Sequence, residues 1–284
     1  MNYENLRNWK FQDVEQTYTE KDSILYALGL GVGMEPTNPG HLRFTYERDL
    51  RALPTLSVVL CWLGPWVRHP DIGVDYSMVL HGEQSVEIVK PLPAAARVVA
   101  KTRLLEVVDK GREKGAIIAI ERAYHDAASG DLLCRNTAAT FARADGGFGG
   151  PATSTRTPHA IPDRAPDDVF ESRTSTQSAL LYRLSGDYNI LHADPEAATK
   201  AGFRVPILHG LCTFGVVGFG LLGRYGNYDP DRFRGIGVRF SAPVYPGETL
   251  RTEVWRDGET YSFRTSVPER KVTVLNNAWA KISA

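Results

Sequence analysis

The sequence predicts an α+β fold built twice, and three observations carry that expectation. The two halves of the 284-residue chain resemble each other, each holds one apolar helical stretch, and each ends in segments rich in β-branched residues. In the repeat, "LPTLSVVLCWLG" (residues 53–64) aligns with "VPILHGLCTFGV" (205–216), setting Pro54 on Pro206. "KPLPAAARVV" and "APVYPGETL" keep the same spacing, Pro91 on Pro243, while "LYALGLG" and "LYRLSGD" match in a register that a small loop change absorbs. Two copies make a duplication rather than a solenoid.

Taken in order, the first half offers a short helix over "LYALGLG", a loop, and an apolar helix centred on residues 56–62. Strands follow at "ARVVAKTRLLEVVDKG", "GAIIAIERAYHD" and "LLCRNTAATFARA", with "VDKGREKGA" supplying a hairpin turn. "RADGGFGGPATSTRTPHAIPDRAPDD" then breaks the hydrophobic pattern, so the chain divides into an N-terminal half (1–144), a linker (145–168) and a C-terminal half (169–284). The second half repeats the order: a helix over "LYRLSGD", a polar loop, an apolar helix centred on 208–217, and strands "TLRTEVWRD", "TYSFRTSV" and "KVTVLNNAWAKIS" joined in part by "RDGET". Helices apolar around most of their circumference must be buried, so each half should wrap an antiparallel sheet around its helix, with the two sheets side by side.

Composition narrows the function. Lys+Arg 33 against Asp+Glu 33 gives a net charge of +0, with nothing global to favour nucleic acid or an anionic membrane. Cys61, Cys134 and Cys212 are scattered without a CxxC, as in reduced proteins of a cytoplasmic compartment. The N-terminus lacks an apolar h-region, "AKISA" is not a peroxisomal tripeptide, and the apolar stretch 207–222 is interrupted by His209 and glycines. A soluble, cytoplasmic protein without a membrane span is expected.

The chemistry-bearing residues cluster in "YRLSGDYNILHADPEAA", followed by "GFRVPILHGLCTFG" and "VRFSAPVYPGETL". Together these resemble the signature of the MaoC-like, type 2 enoyl-CoA hydratases, whose fold is the hot dog; the resemblance covers Tyr182 to about Trp255 directly and the first half through the repeat. It implies a double hot-dog protein that hydrates an enoyl thioester, with coenzyme A the favoured carrier and acyl carrier protein left open, to the (R)-3-hydroxyacyl product. The family's Asp, Asn, His and Gly fall on Asp187, Asn189, His192 and Gly210. Ile190 stands where the family often has proline, a loss of backbone stiffness but of no proton-handling group.

Water addition to a 2-enoyl thioester needs a base, an acid for the α carbon, and a donor for the developing oxyanion. Asp187 and His192 can converge on one water, Asn189 can hold that water or fix the geometry, and the Gly210 N–H opens the apolar helix where unpaired donors and the helix dipole favour negative charge. The same loop also permits plainer roles: Asp187 and Asn189 as turn caps, and Asp194 with Pro195 as the start of a helix over "DPEAATK". His209 is a candidate substrate-binding residue or a helix-start residue. Cys212 reads as core rather than nucleophile, and "GFGLLG" lies in a helix instead of between strand and helix, so it is not a dinucleotide loop. His41, His69, His81, His125 and His159 lack metal-ligand spacing, and neither metal nor cofactor is expected.

Through the repeat, Asp187 maps to Gly31 or Glu35, His192 to Pro36 or Gly40, and Gly210 to Val58, so the first half lacks the catalytic set. It is then free to hold the acyl chain, with Gly31 and Gly33 leaving room for it. The expected partner is an acyl-CoA substrate, with a homodimer as a further expectation. A hot-dog thioesterase and a non-enzymatic acyl-thioester binder are the alternative functions.

Overall fold

Every β-branched run singled out in the sequence forms a strand in the computed structural model, which describes residues 1–283. The strands are β1 (Val14–Tyr18), β2 (Val79–Ile88), β3 (Ala96–Asp109), β4 (Ala116–Asp126), β5 (Leu132–Ala142), β6 (Asp168–Arg173), β7 (Phe233–Phe240), β8 (Thr249–Asp257), β9 (Thr260–Val267) and β10 (Val272–Ile282). The helices are α1 (Tyr3–Arg7), α2 (Glu20–Gly29), α3 (Pro39–Leu42), α4 (Ser178–Tyr182), α5 (Pro195–Lys200) and α6 (Gly210–Gly226).

Among the described residues the strands form one antiparallel sheet in the order β1-β3-β4-β5-β2-β7-β10-β9-β8-β6. Matched strand for strand, the order reads the same from either edge, and the halves meet where β2 pairs with β7, in the register Ser85↔Gly237 and Val86↔Ile236. The expectation of two sheets each around its own helix is corrected in one respect. α6 is 17 residues long and packs its apolar surface on β7 and β10, but the matching stretch of the first half makes only a 3-10 turn over Pro54–Val58. Local chemistry explains the difference. The Ser57 hydroxyl bonds Asn136 at 3.0 Å, the Cys61 N–H goes to the Gln16 side chain, and Cys61 takes a left-handed φ of 50°, so no second helical turn can propagate.

α6 is pressed between the sheet and the first half's loops. A Cβ on Gly215 would come within 2.7 Å of the Leu30 side chain, and one on Gly218 within 3.1 Å of Thr55, so the glycines of this helix serve close packing. One apolar cluster runs through both halves, joining Tyr26, Leu56 and Val86 to Phe214, Leu221 and Phe263. Residues between β5 and β6 contain neither helix nor strand, yet they lie tied to the sheet: Asp109 N–H donates to Pro151 O, Arg156 pairs with Glu83 and Glu106, and the Trp255 indole donates to Arg164 O.

One irregularity matters for the site. The pairing of β2 with β5 shifts between His81 and Glu83, leaving Gly82 as an extra residue. A bulge of one residue reverses side-chain alternation, so His81 falls on the inner face with Gln84 and Val86 instead of on the outer face.

Candidate active site

Two short turns coil the loop between α4 and α5. The Asp187 carboxylate accepts the Asn189 N–H and the Asn189 side-chain oxygen accepts the Leu191 N–H, both at 3.2 Å. These are Asx-type turns, which replace backbone partners in a segment that has none. They lead into a 3-10 turn over Ile190–His192 that directs the His192 ring inward, where the residue is buried. Immediately afterwards Asp194 caps α5 through the N–H groups of Glu196 and Ala197, with Pro195 at the first helical position. Asn189, expected to hold a water, fix the geometry or cap a turn, is exposed and uses its oxygen in the turn.

His192 has a fixed tautomer. Its Nδ1 lies 2.8 Å from Ile207 O, and a carbonyl can only accept, so Nδ1 carries the proton and Nε2 presents a lone pair. His209 Nε2 likewise donates to Asp187 O at 3.1 Å, and the two imidazoles stack with centroids 3.6 Å apart. Donor atoms of Asp187, His192 and His209 all lie within 4.8 Å of one another. Burial lowers the pKa of His192 against the opposing pull of the Ile207 carbonyl and Asp187, and burial together with the neighbouring His192 lowers His209 to about 4. Both imidazoles are therefore neutral at neutral pH, which suits His192 to act as a base.

Of the two readings offered for His209, substrate-binding or helix-start, its position immediately before α6 fits the second. It is 1% exposed, bonded to the main chain of Asp187 and stacked on His192, so it holds the loop in place from beneath. The donor trio also meets the composition of a divalent-ion site. However, a metal lies in the plane of each imidazole it binds, and two rings stacked at 28° and 3.6 Å cannot both aim at one centre.

Gly210 opens α6, and His209 before it provides no side-chain cap. A first-turn N–H has no acceptor within its own helix, so this donor is available where the helix dipole favours negative charge. A Cβ on Gly210 would stand 3.2 Å from the Phe240 ring, and His81, swung inward by the β2 bulge, meets that same ring at 5.0 Å. His81 is exposed to solvent, and desolvation by the surrounding protein and the positive charge of Arg122 lower its pKa against the pull of the Glu83 carbonyl and Asp187. Sequence reasoning missed His81 because only strand pairing across the two halves brings it here.

Gly31 and Gly33 sit in the turn after α2 with φ of 86° and 97°, so left-handed backbone, rather than room for a ligand, calls for glycine there. The glycine on which a contact depends is Gly29, whose Cβ would lie 3.1 Å from Tyr182 Cα where α2 meets α4. Cys212 is fully buried, burial raises its thiol pKa, and its S–H faces Gly29 O, which excludes it as a nucleophile. No helix among the described residues is long and apolar enough to cross a membrane.

Comparison with known proteins agrees with this architecture in both halves. Residues 158–278 match the MaoC like domain, and residues 16–144 match the MFE-2 hydratase 2 N-terminal domain. The peroxisomal enoyl-CoA hydratase 2 of Arabidopsis thaliana is 40% identical over 282 residues, covering 94% of this chain and 91% of that protein. The peroxisomal multifunctional enzyme type 2 of Mus musculus is also 40% identical, over 96% of this chain, but the chain spans only 37% of its length. The crystal structure of a MaoC-like dehydratase from Phytophthora capsici superposes with a TM-score of 0.87 at 34% identity, covering 100% of this chain and 99% of that one. With both halves matched and the whole length aligned, the chain belongs to the MaoC-like enoyl-CoA hydratase 2 family in its double hot-dog form.

Proposed function

We propose that this protein hydrates trans-2-enoyl-CoA to (R)-3-hydroxyacyl-CoA and catalyses the reverse dehydration. The observation that carries the reading is the convergence of the Asp187 carboxylate and the His192 imidazole, whose Nδ1 is spent on Ile207 O, beside the helix start at Gly210. A water held between Asp187 and His192 gives up one proton to this pair as its oxygen adds to C3. The electron pair of the alkene moves onto the thioester, whose oxygen takes the Gly210 N–H, and the pair returns a proton to C2. Both transfers use one face of the alkene, so addition is syn. The carrier is coenzyme A, and the acyl tail extends over the inner face of the first half, where a short 3-10 turn stands in place of a long helix.

Incubating the purified protein with a series of trans-2-enoyl-CoAs tests this directly. Loss of enoyl absorbance with an (R) product is expected. Release of free thiol instead would mean a thioesterase, binding without turnover a carrier protein, and an (S) product would overturn the family mechanism.

A further inference from the structure

The inner face of the first half carries a charge that no ion pair among the described residues balances. Arg122, on β4, is 9% exposed, and no carboxylate among the described residues lies within ion-pair distance of it. Its Nη1 donates to Leu60 O at 3.4 Å and Cys61 O at 3.2 Å, capping the end of the 3-10 turn, and its guanidinium stands 5.7 Å from the Tyr124 ring. The hydrogen bonds it makes to the described residues run through Nη1. Directly across the strand pair is Thr102, whose Oγ1 is buried without a partner. A buried cation beside an unspent hydroxyl is costly to the fold unless something with negative charge reaches it.

The strand register places this pair on the same face of the sheet as the candidate active site. A Cβ on Gly210 would stand 3.2 Å from Phe240, Phe240 meets His81, and inner-face Gln84 lies level with Ala138 and, one strand further, Ile120, the neighbour of Arg122 on the same face.

We propose that Arg122 and Thr102 form a distal subsite that accepts a carboxylate at the far end of the acyl chain, making ω-carboxy enoyl thioesters a substrate class of this enzyme. The guanidinium edge offers Nε and Nη2 in the fork geometry that matches a carboxylate, and Thr102 supplies a third donor. Strand spacing and rise put the Arg122 and His81 Cα positions about 17 Å apart. At the reach per bond of an extended chain, that corresponds to roughly ten to fourteen chain atoms. The proposal rests on the hydratase reading, with the tail crossing the first half.

The test compares hydration of methyl-ended and carboxylate-ended trans-2-enoyl-CoAs at six and at twelve carbons. At twelve carbons the carboxylate end should raise kcat/KM by about tenfold or more; at six, too short to arrive, it should give no advantage. Arg122→Met should abolish the preference at twelve carbons while changing the methyl-ended rate by less than about twofold, and Thr102→Val, which keeps charge and volume, should reduce it in part. Equal rates for the two ends at twelve carbons, or a preference that survives Arg122→Met, overturns the subsite. The wild-type comparison decides alone if that variant does not fold. Absence of hydration for the methyl-ended substrates would instead refute the hydratase reading.

Discussion

Replacing His192 by glutamine separates catalysis from folding. The glutamine amide can still donate to Ile207 O, which now accepts from Nδ1 at 2.8 Å, so net hydrogen bonding in the folded state should fall by no more than about 1 kcal/mol. What disappears is the Nε2 lone pair. A positioned general base contributes about 10²–10⁴-fold, which is about 2.7–5.4 kcal/mol of barrier. The rate should therefore suffer several times more than the stability, a disproportion that a purely structural residue does not produce. Initial rates of enoyl loss at saturating substrate, with thermal unfolding of the same samples, measure both quantities. The pH profile adds a second readout. Burial holds the His192 pKa below its ordinary 6.5, so the neutral base is present above that lowered value, and wild-type kcat/KM should fall only as pH drops through it. The glutamine variant should lose this acid limb. A folded variant within about threefold of wild type, or an acid limb that persists in it, would refute the assignment of the base.

Asp187→Asn should lower turnover by about 10²-fold or more, and the double variant with His192→Gln should be hardly worse than either alone, since groups acting on one water are strongly non-additive; kcat measured for the set of variants decides. His209→Gln removes a buried imidazole whose pKa is about 4 when folded. In the wild type, that depressed value contributes stability that is fully present above the unfolded pKa near 6.5 and is lost as pH falls from there toward 4, so the variant should show a flatter decline in melting temperature over that window. Gly29→Ala forces a methyl to within 3.1 Å of the Tyr182 backbone and should destabilise by about 1–3 kcal/mol, read from denaturant unfolding, despite alanine's better helix propensity.

How far the sequence disclosed this depended on where each residue's partners lie. β3, β4, β5, β8, β9 and β10 announce themselves because their β-branched residues face a core that each strand meets locally. β1 and β6 are short edge strands reading "VEQTY" and "DVFESR", too polar to signal. β2 and β7 carry Gly and charge at the sheet centre, where strand neighbours on both sides supply the stability that composition does not. The repeat, by aligning Pro54 with Pro206, predicts a first-half helix that does not form, because the left-handed Cys61 and the Ser57–Asn136 bond depend on tertiary structure. Asp187, His192 and Gly210 were legible because a single loop and the following helix contain them. His81, Arg122 and Thr102 were not, because they come from three strands joined only by folding.

The β2–β7 seam also has a consequence for how such a protein can change over generations. When two identical subunits pair edge to edge, every substitution appears twice, and neither copy can give up its nucleating helix or its acid–base loop without the other losing it as well. Joining the copies in one chain breaks that bond of inheritance, and because the seam forms intramolecularly it does not weaken on dilution. One half is then free to lose a helix and take on an unpaired arginine while its twin keeps the chemistry, a division of labour closed to any symmetric pair.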